Sequence, residues 1–383
     1  MYSGAFFRDA RICPDGTCAL ALADDRSLSL FALPNSNENS STVRSPLSQV
    51  WNHEPSDSLL SYDWYPGASS TDPSMFAFAV GVKDHPVHLL DGHDQRIRAS
   101  YPIIDHTERF VAPNSMRFSP DGTSLYCGFD NAIEILDVSR PGEAGFRLKT
   151  TPNRTSRTGQ KGLISALDFS PSEGAMLLAA GSFSGTIGLY DPSSSTPLSG
   201  ILRSTHRGGV TQVKFHPTMP HLLFVASRQA DYLEMFDLRN LALDPIRLER
   251  KGRTNQRIGF DIDPTGEWLM TGDQNGTLSF FDTSFLAYTD TSTPLAPTFT
   301  HSIRSEPIGA AMFHPDFSRT RQILTCTGTR TFDTRESSKR RHARHDDDCS
   351  NDSDGSSDSQ DDQDEAGVTN VDVEVDSLQL FAW

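Results

Sequence analysis

The sequence predicts an all-β protein, a seven-bladed β-propeller with a disordered acidic insertion in the last blade. Three observations carry this prediction. A short apolar strand that mostly ends in Asp occurs seven times, a proline-containing turn occurs seven times in step with it, and five of the six intervals between successive strands are 45 to 59 residues. A period of about 40–50 residues is typical of propeller blades.

The recurring strand reads, in order, LSLFA, VHLLD, IEILD, IGLYD, LEMFD, LSFFD and LQLFA. The turn series reads ICPDGT, WYPGAS, FSPDGT, FSPSEG, FHPTMP, IDPTGE and FHPDFS. Pro presets φ for a tight turn, and Gly or Asp suits its later positions, so each turn marks a bend between antiparallel strands. Strand, turn, strand, short turn, strand is the order of a WD-repeat blade, although Leu, Phe or Tyr replaces the tryptophan of that motif.

The last interval, of 100 residues, is too long for one blade. Residues 333–370 are rich in Ser and Asp and almost free of apolar side chains, and such a composition cannot bury enough surface to order itself. We therefore expect propeller repeats over 1–332, a disordered basic-then-acidic insertion over 333–370, and a final propeller strand within 371–383.

The ring is expected to lack one outer strand. AFFRDARIC reads as the inner strand of the first blade because a turn and LSLFA follow it at normal distances, and LQLFA is the third strand of the seventh blade. Few residues flank either strand. Either the seventh blade exposes an edge, or the natural protein begins upstream of Met1.

Composition and motifs argue against an enzyme. No apolar run approaches the length of a membrane span, and Arg8 and Asp9 come too early for a signal peptide, so we expect neither a membrane span nor secretion. Five cysteines without CxxC spacing indicate neither a zinc site nor a disulfide framework. Phosphate-loop, GxSxG, HExxH and GxGxxG patterns are missing. We expect no cofactor, no metal and no small-molecule substrate.

Several segments resemble the telomerase Cajal body protein family, above all TNQRIGFDIDPTG and LYCGF. The resemblance extends over most of residues 6–332 and the final LQLFAW. It implies a nuclear, non-catalytic WD-repeat scaffold that binds small Cajal body RNAs or telomerase RNA together with ribonucleoprotein proteins. The family's long N-terminal extension is missing, and the acidic insertion is a further departure.

Basic side chains concentrate in particular loops despite a net charge of −16. In a WD blade, the segment before the first strand and the turn between the second and third strands emerge on one face, called the top face. Cationic side chains there suit an RNA backbone, and exposed aromatic rings suit unpaired bases. The predicted RNA-binding residues are Arg109, Phe129, Arg157, Lys161, Phe183, His206, Arg207, Arg228, Arg253, Gln256 and Arg257.

Each assignment has an alternative. The two Phe rings could pack on their own blades, the arginines could be solvated surface charges, and His206 could support its loop. His216 and His314 lie at repeat turns and are expected to be structural. The basic run from Lys339 to Arg344 is either a nuclear import signal or an ordinary charged loop. A protein-interaction scaffold without RNA contact is the main rival function, because fold does not fix function.

Overall fold

The computed structural model describes residues 6–34, 47–153, 155–156, 158–171, 176–194, 197–284, 293–316, 318, 322–329 and 377–382. Over these ranges the chain forms 27 β-strands. Within the same ranges, no helix has the length and apolar character needed to cross a membrane. The predicted insertion and its basic run lie outside the described residues.

The strands form seven antiparallel sheets, the blades. Blade one contains β1 (Phe7–Ile12), β2 (Cys18–Ala23), β3 (Leu28–Ala32) and β4 (Ser48–His53). Blade two contains β5 (Leu59–Trp64), β6 (Ala77–Val82), β7 (Val87–Asp91) and β8 (Ile97–Tyr101). Blade three contains β9 (Ser115–Phe118), β10 (Ser124–Phe129), β11 (Ala132–Asp137) and β12 (Phe146–Lys149).

Blades four and five contain β13 (Ile164–Phe169), β14 (Leu178–Ser182), β15 (Thr186–Tyr190) and β16 (Leu198–Arg203); and β17 (Val210–Phe215), β18 (Leu222–Ser227), β19 (Tyr232–Asp237) and β20 (Ile246–Glu249). Blades six and seven contain β21 (Phe260–Ile262), β22 (Trp268–Thr271), β23 (Thr277–Asp282) and β24 (Phe299–Ser302); and β25 (Ile308–Phe313), β26 (Gln322–Thr327) and β27 (Leu378–Ala382).

The first strand of each blade lines the central cavity. Inner strands of neighbouring blades pack against each other, as β5 does on β9, β9 on β13 and β13 on β17, and β25 closes the ring against β1. Every recurring apolar strand of the sequence is the third strand of a blade, which confirms the seven-bladed prediction. The seventh sheet has three strands in the described part of the chain.

Side chains along the second strand of a blade point alternately to the two neighbouring blades, and this holds the blades together. In β2 all six residues are buried. Leu20 and Leu22 pack with Trp64 and Phe78 of blade two, whereas the alanines of β2 pack toward Leu324 of blade seven. Successive strand residues point to opposite faces, so one strand contributes to two inter-blade cores.

The proline turns are also linked from blade to blade. His216 Nε2 lies 2.9 Å from Gly266 O in the next blade's turn, and His314 Nε2 lies 2.9 Å from Gly16 O across the ring closure. Both histidines are buried, and burial lowers the pKa of His216. The structural role predicted for this pair is confirmed.

A belt of mostly charged side chains surrounds the axis. Each blade contributes one member, the residue three positions before the proline of its turn. Its members alternate in sign around the ring until the seventh blade supplies a neutral side chain: Arg11, Asp63, Arg117, Asp168, Lys214, Asp261 and Met312. We call this set the charge belt.

Ion pairs join neighbouring members of the charge belt. Arg117 contacts Asp63 at 3.5 Å and Asp168 at 3.1 Å, and Lys214 pairs with Asp261. Each aspartate also accepts a backbone N–H from the next blade, as Asp168 does from Phe215 at 2.8 Å. Burial, the largest influence, raises the pKa of Asp168 although Arg117 opposes it. The belt therefore ties the inner strands together in order.

Candidate functional site

Two sets of loops share the face opposite the proline turns. The turn between the second and third strands of a blade is hydrogen-bonded to the loop that enters the same blade, as in Phe183 N to Leu163 O at 2.9 Å and Arg228 N to Gly209 O at 2.9 Å. Asn131 N also reaches Gly162 O of the next blade at 3.1 Å. These bonds hold the two sets of loops together on one face, which is the top face to which the sequence analysis assigned the basic loops.

An exposed aromatic and a guanidinium group meet on this face. Phe183 is 44% exposed, and Arg228 Cζ lies 5.5 Å from the centroid of its ring. Because arginine is attracted to the face of an aromatic ring at such distances, the two side chains orient each other. The pair joins the turn of blade four to the turn of blade five.

The sequence Gly208-Gly209 lets these turns approach. A Cβ atom on Gly209 would lie 2.8 Å from the Phe183 ring, and one on Gly208 would lie 2.0 Å from Arg228 O. Any larger residue would push the turns apart. The two glycines therefore set the position of the Phe183–Arg228 pair.

Hydrogen bonds connect further basic loops to this pair. Lys161 O accepts a bond from Ser184 Oγ at 2.8 Å beside Phe183, and Ser204 N donates to Gly185 O at 3.0 Å, which places the Arg207 loop against the same turn. We call the continuous surface over blades four to six the basic strip. Its exposed cations are Lys161, Arg207, Arg228, Arg253 and Arg257.

The inner edge of the basic strip lies at the mouth of the central channel, a cavity of about 720 Å³. Arg228 and Arg257 both line it, together with Asn255, which belongs to the same loop as Arg257, and Arg8, which sequence reasoning missed. Asn255 Oδ1 accepts a bond from Gln229 Nε2 at 2.7 Å. Arg8 belongs to an inner strand, so no loop signal pointed to it.

Arg253, Gln256 and His206 also make side-chain bonds within the fold. Arg253 Nε lies 2.5 Å from Asp231 Oδ2, although 80% of the arginine side chain stays exposed. Gln256 Nε2 donates to Gly328 O at 2.8 Å, and His206 Nδ1 accepts a bond from Gly208 N at 2.9 Å. The contact of His206 favours its supporting role, and the same bond holds the glycine pair in place.

The structure corrects the prediction for Phe129, and it does not bring Arg109 or Arg157 into the basic strip. Phe129 is 9% exposed within the core of blade three, and Arg147 lies 5.0 Å from its ring centroid, so this ring is unavailable for base stacking. As the last residue of β10, it points inward with the strand alternation. Arg109 is exposed on the loop entering blade three, with no described bond to the basic strip, and Arg157 lies outside the described residues.

Seven sheets arranged around an axis, with repeating proline turns on one side and variable loops on the other, define a WD-repeat β-propeller. Rigid propellers of this kind present binding loops and act as scaffolds. No protein-family model matches the chain.

Comparison with curated proteins gives the family. Telomerase Cajal body protein 1 of Rattus norvegicus is 33% identical over 329 residues, which span 85% of this chain and 59% of the rat protein. The Bos taurus protein of the same name is 35% identical over 280 residues, 73% of this chain and 50% of its own length. The chain belongs to the telomerase Cajal body protein family, and it spans about half to three fifths of these relatives' length.

A third relative bears a different name. Guanine nucleotide-binding protein negative regulator 1 of Schizosaccharomyces pombe is 29% identical over 282 residues, 71% of this chain and 69% of the yeast protein. The names of these three relatives describe Cajal body or regulatory proteins.

Proposed function

We propose that this chain is a non-catalytic nuclear scaffold that binds RNA on the basic strip and promotes ribonucleoprotein assembly or localisation. The observation that carries the proposal is the exposed Phe183 ring held by Arg228 among the cations of the strip. An aromatic surface accepts an unpaired base, and the flanking cations neutralise phosphates. Family membership supports small Cajal body RNA or telomerase RNA as the ligand class.

The position of the site at the channel mouth supports single-stranded or looped RNA. Arg228 and Arg257 line the same opening. A splayed base can reach the Phe183 ring while its backbone follows the arginines, whereas a duplex keeps its bases stacked internally. Recognition of an unpaired segment is therefore the mode that these side chains serve best.

Fluorescence anisotropy with purified chain and a labelled single-stranded RNA of about 20 nucleotides tests the proposal. The double variant Arg228→Ala/Arg257→Ala should weaken binding and lower the salt slope by about 1.4, or roughly 0.7 for each phosphate contact in single-stranded RNA. The matched control is Arg96→Ala/Arg239→Ala, which removes two exposed arginines from turns between third and fourth strands on the opposite face. Equal slopes in both double variants would remove the basic strip as the RNA site.

Sequencing of RNA crosslinked to the protein in its own cells identifies the ligand. Enrichment of small nuclear RNAs that share an unpaired motif supports the proposal. Nuclear localisation is tested in the same cells by microscopy, with and without alanine in place of Lys339, Arg340, Arg341 and Arg344.

A protein-binding function is the second candidate, and the name of the yeast relative favours it. In that case the top face would bind a protein such as a guanine nucleotide-binding protein. Co-purification of such a protein that survives ribonuclease and is lost in Arg228→Ala/Arg257→Ala, without RNA binding by the purified chain, would select this candidate.

A further inference from the structure

The turn between β1 and β2 gathers three side chains that are metal-ligand types. Cys13, Asp15 and Cys18 present two sulfurs and a carboxylate oxygen that all lie within 4.8 Å of one another. The spacing CPDGTC gave no sign of this in the sequence. The turn bonds Cys13 N to Cys18 O at 2.8 Å and Gly16 N to Cys13 O at 2.8 Å place the cysteines opposite each other.

Blade three shows that the turn itself brings these positions together. Its sequence SPDGTS carries serine at both cysteine positions. There Ser119 Oγ donates to Asp121 Oδ1 at 2.5 Å, and Ser124 N donates to Ser119 Oγ at 3.0 Å. The same backbone therefore closes a hydroxyl–carboxylate network in blade three and a thiol–carboxylate cluster in blade one.

Other contacts hold the carboxylate of this cluster in position. Asp15 Oδ1 accepts bonds from Thr17 N at 3.0 Å and Thr17 Oγ1 at 2.8 Å, and Asp15 Oδ2 accepts one from Ser70 N of blade two at 2.6 Å. Both cysteines are buried, whereas Asp15 is partly exposed. Outer partners of this kind orient metal ligands, and the exposed side leaves access for an ion and a water molecule.

We propose that Cys13, Asp15 and Cys18 bind one divalent cation of the zinc class, with water as the fourth ligand. Thiolate sulfur and carboxylate oxygen are both zinc ligands, at about 2.3 Å and 2.0–2.2 Å. A tetrahedral centre with these bond lengths places its ligand atoms less than 4 Å apart, which small side-chain movements of the observed cluster can reach. The ion would link the turn of blade one to blade two through Asp15 and Ser70.

Thiolate sulfur, not the protonated thiol, is the form of cysteine that binds a metal ion. Metal binding must displace thiol protons, so the affinity should rise with pH and binding should release acid.

Titration of the reduced, metal-free chain with Cd²⁺ and Co²⁺ tests the site, because thiolate ligands give charge-transfer absorption with both ions. We expect saturation at one equivalent and displacement of the probe ion by Zn²⁺. In Cys13→Ser/Cys18→Ser, which copies the turn of blade three, the absorption should disappear while the circular dichroism spectrum is unchanged. Cys127→Ala, which removes a buried cysteine of β10, should keep it.

Three results would overturn the assignment. These are no thiolate absorption at equimolar metal, an absorption that survives in Cys13→Ser/Cys18→Ser, or a Cys13–Cys18 disulfide in protein purified with reductant. The last result would identify the pair as a redox couple instead of a metal site.

Discussion

The Phe183 ring offers the sharpest test of how the basic strip binds RNA. Its ring is 44% exposed, with Arg228 5.5 Å from the centroid, so we expect it to accept one base. Stacking of a base on an aromatic ring contributes about 1–3 kcal/mol, so Phe183→Ala should weaken RNA binding about 5- to 150-fold. Because the ring carries no charge, the salt slope should stay at the wild-type value.

Three companion variants make the result interpretable. Arg228→Ala removes a cation and should lower the salt slope by about 0.7 for single-stranded RNA. Phe146→Ala is the matched aromatic control, because Phe146 is 67% exposed on the outer strand of blade three, away from the top face. It should leave binding unchanged. The double variant Phe183→Ala/Arg228→Ala should lose less than the sum of the single losses, since the two groups position each other.

The assay is fluorescence anisotropy with one labelled single-stranded RNA at several salt concentrations, with melting temperature as a check on folding. An affinity of Phe183→Ala within about twofold of wild type, with the Arg228→Ala slope reduced, would refute base stacking while keeping phosphate contact. Equal losses in Phe183→Ala and Phe146→Ala would show that neither ring acts specifically.

Three further predictions concern the fold. Removal of residues 335–365 should shift the melting temperature little, because loop closure changes by only about 0.6 kcal/mol per doubling of length; a large drop by calorimetry would show that the segment packs on the propeller. Asp168→Ala should lower the free energy of unfolding in urea by about 2–3 kcal/mol, reduced from the full cost of breaking a buried pair because Arg117 is 42% exposed, whereas Asp94→Ala should cost little. Burial raises the pKa of Tyr126 to about 12. Because the unfolded tyrosine ionises near pH 10, stability should fall between about pH 10 and 12, and less steeply in Tyr126→Phe; parallel curves would contradict this.

The fold was readable from the sequence because each blade repeats the same local chemistry. The apolar strands and proline turns depend only on neighbours in the chain, so their pattern survives without tertiary information. The basic loops were readable for the same reason, since the repeat order fixes which loops share a face. Lys161, Arg207 and Arg228 lie on the top face for that reason.

What the sequence did not predict depends on distances between blades or across turns. Phe129 ends a strand beside a turn, and only packing shows that its ring turns inward. The stacking of Arg228 on Phe183 joins residues of two blades through a glycine pair that looked like an ordinary loop. The thiols of Cys13 and Cys18 meet because a turn folds the chain back, which a search for CxxC spacing misses.

The charge belt makes the order of the blades specific. An alternating series closes on itself only with an even number of members, and a seven-bladed ring needs one neutral position, which Met312 supplies between Asp261 and Arg11. Insertion or loss of a single internal blade would place two like charges side by side at the axis, whereas insertion or loss of an adjacent pair would keep the alternation. The alternation is therefore compatible with gain or loss of internal blades in adjacent pairs, but not one at a time. A chain that left out one internal blade while folding would bring two like charges together at the centre of the ring, where they would repel each other.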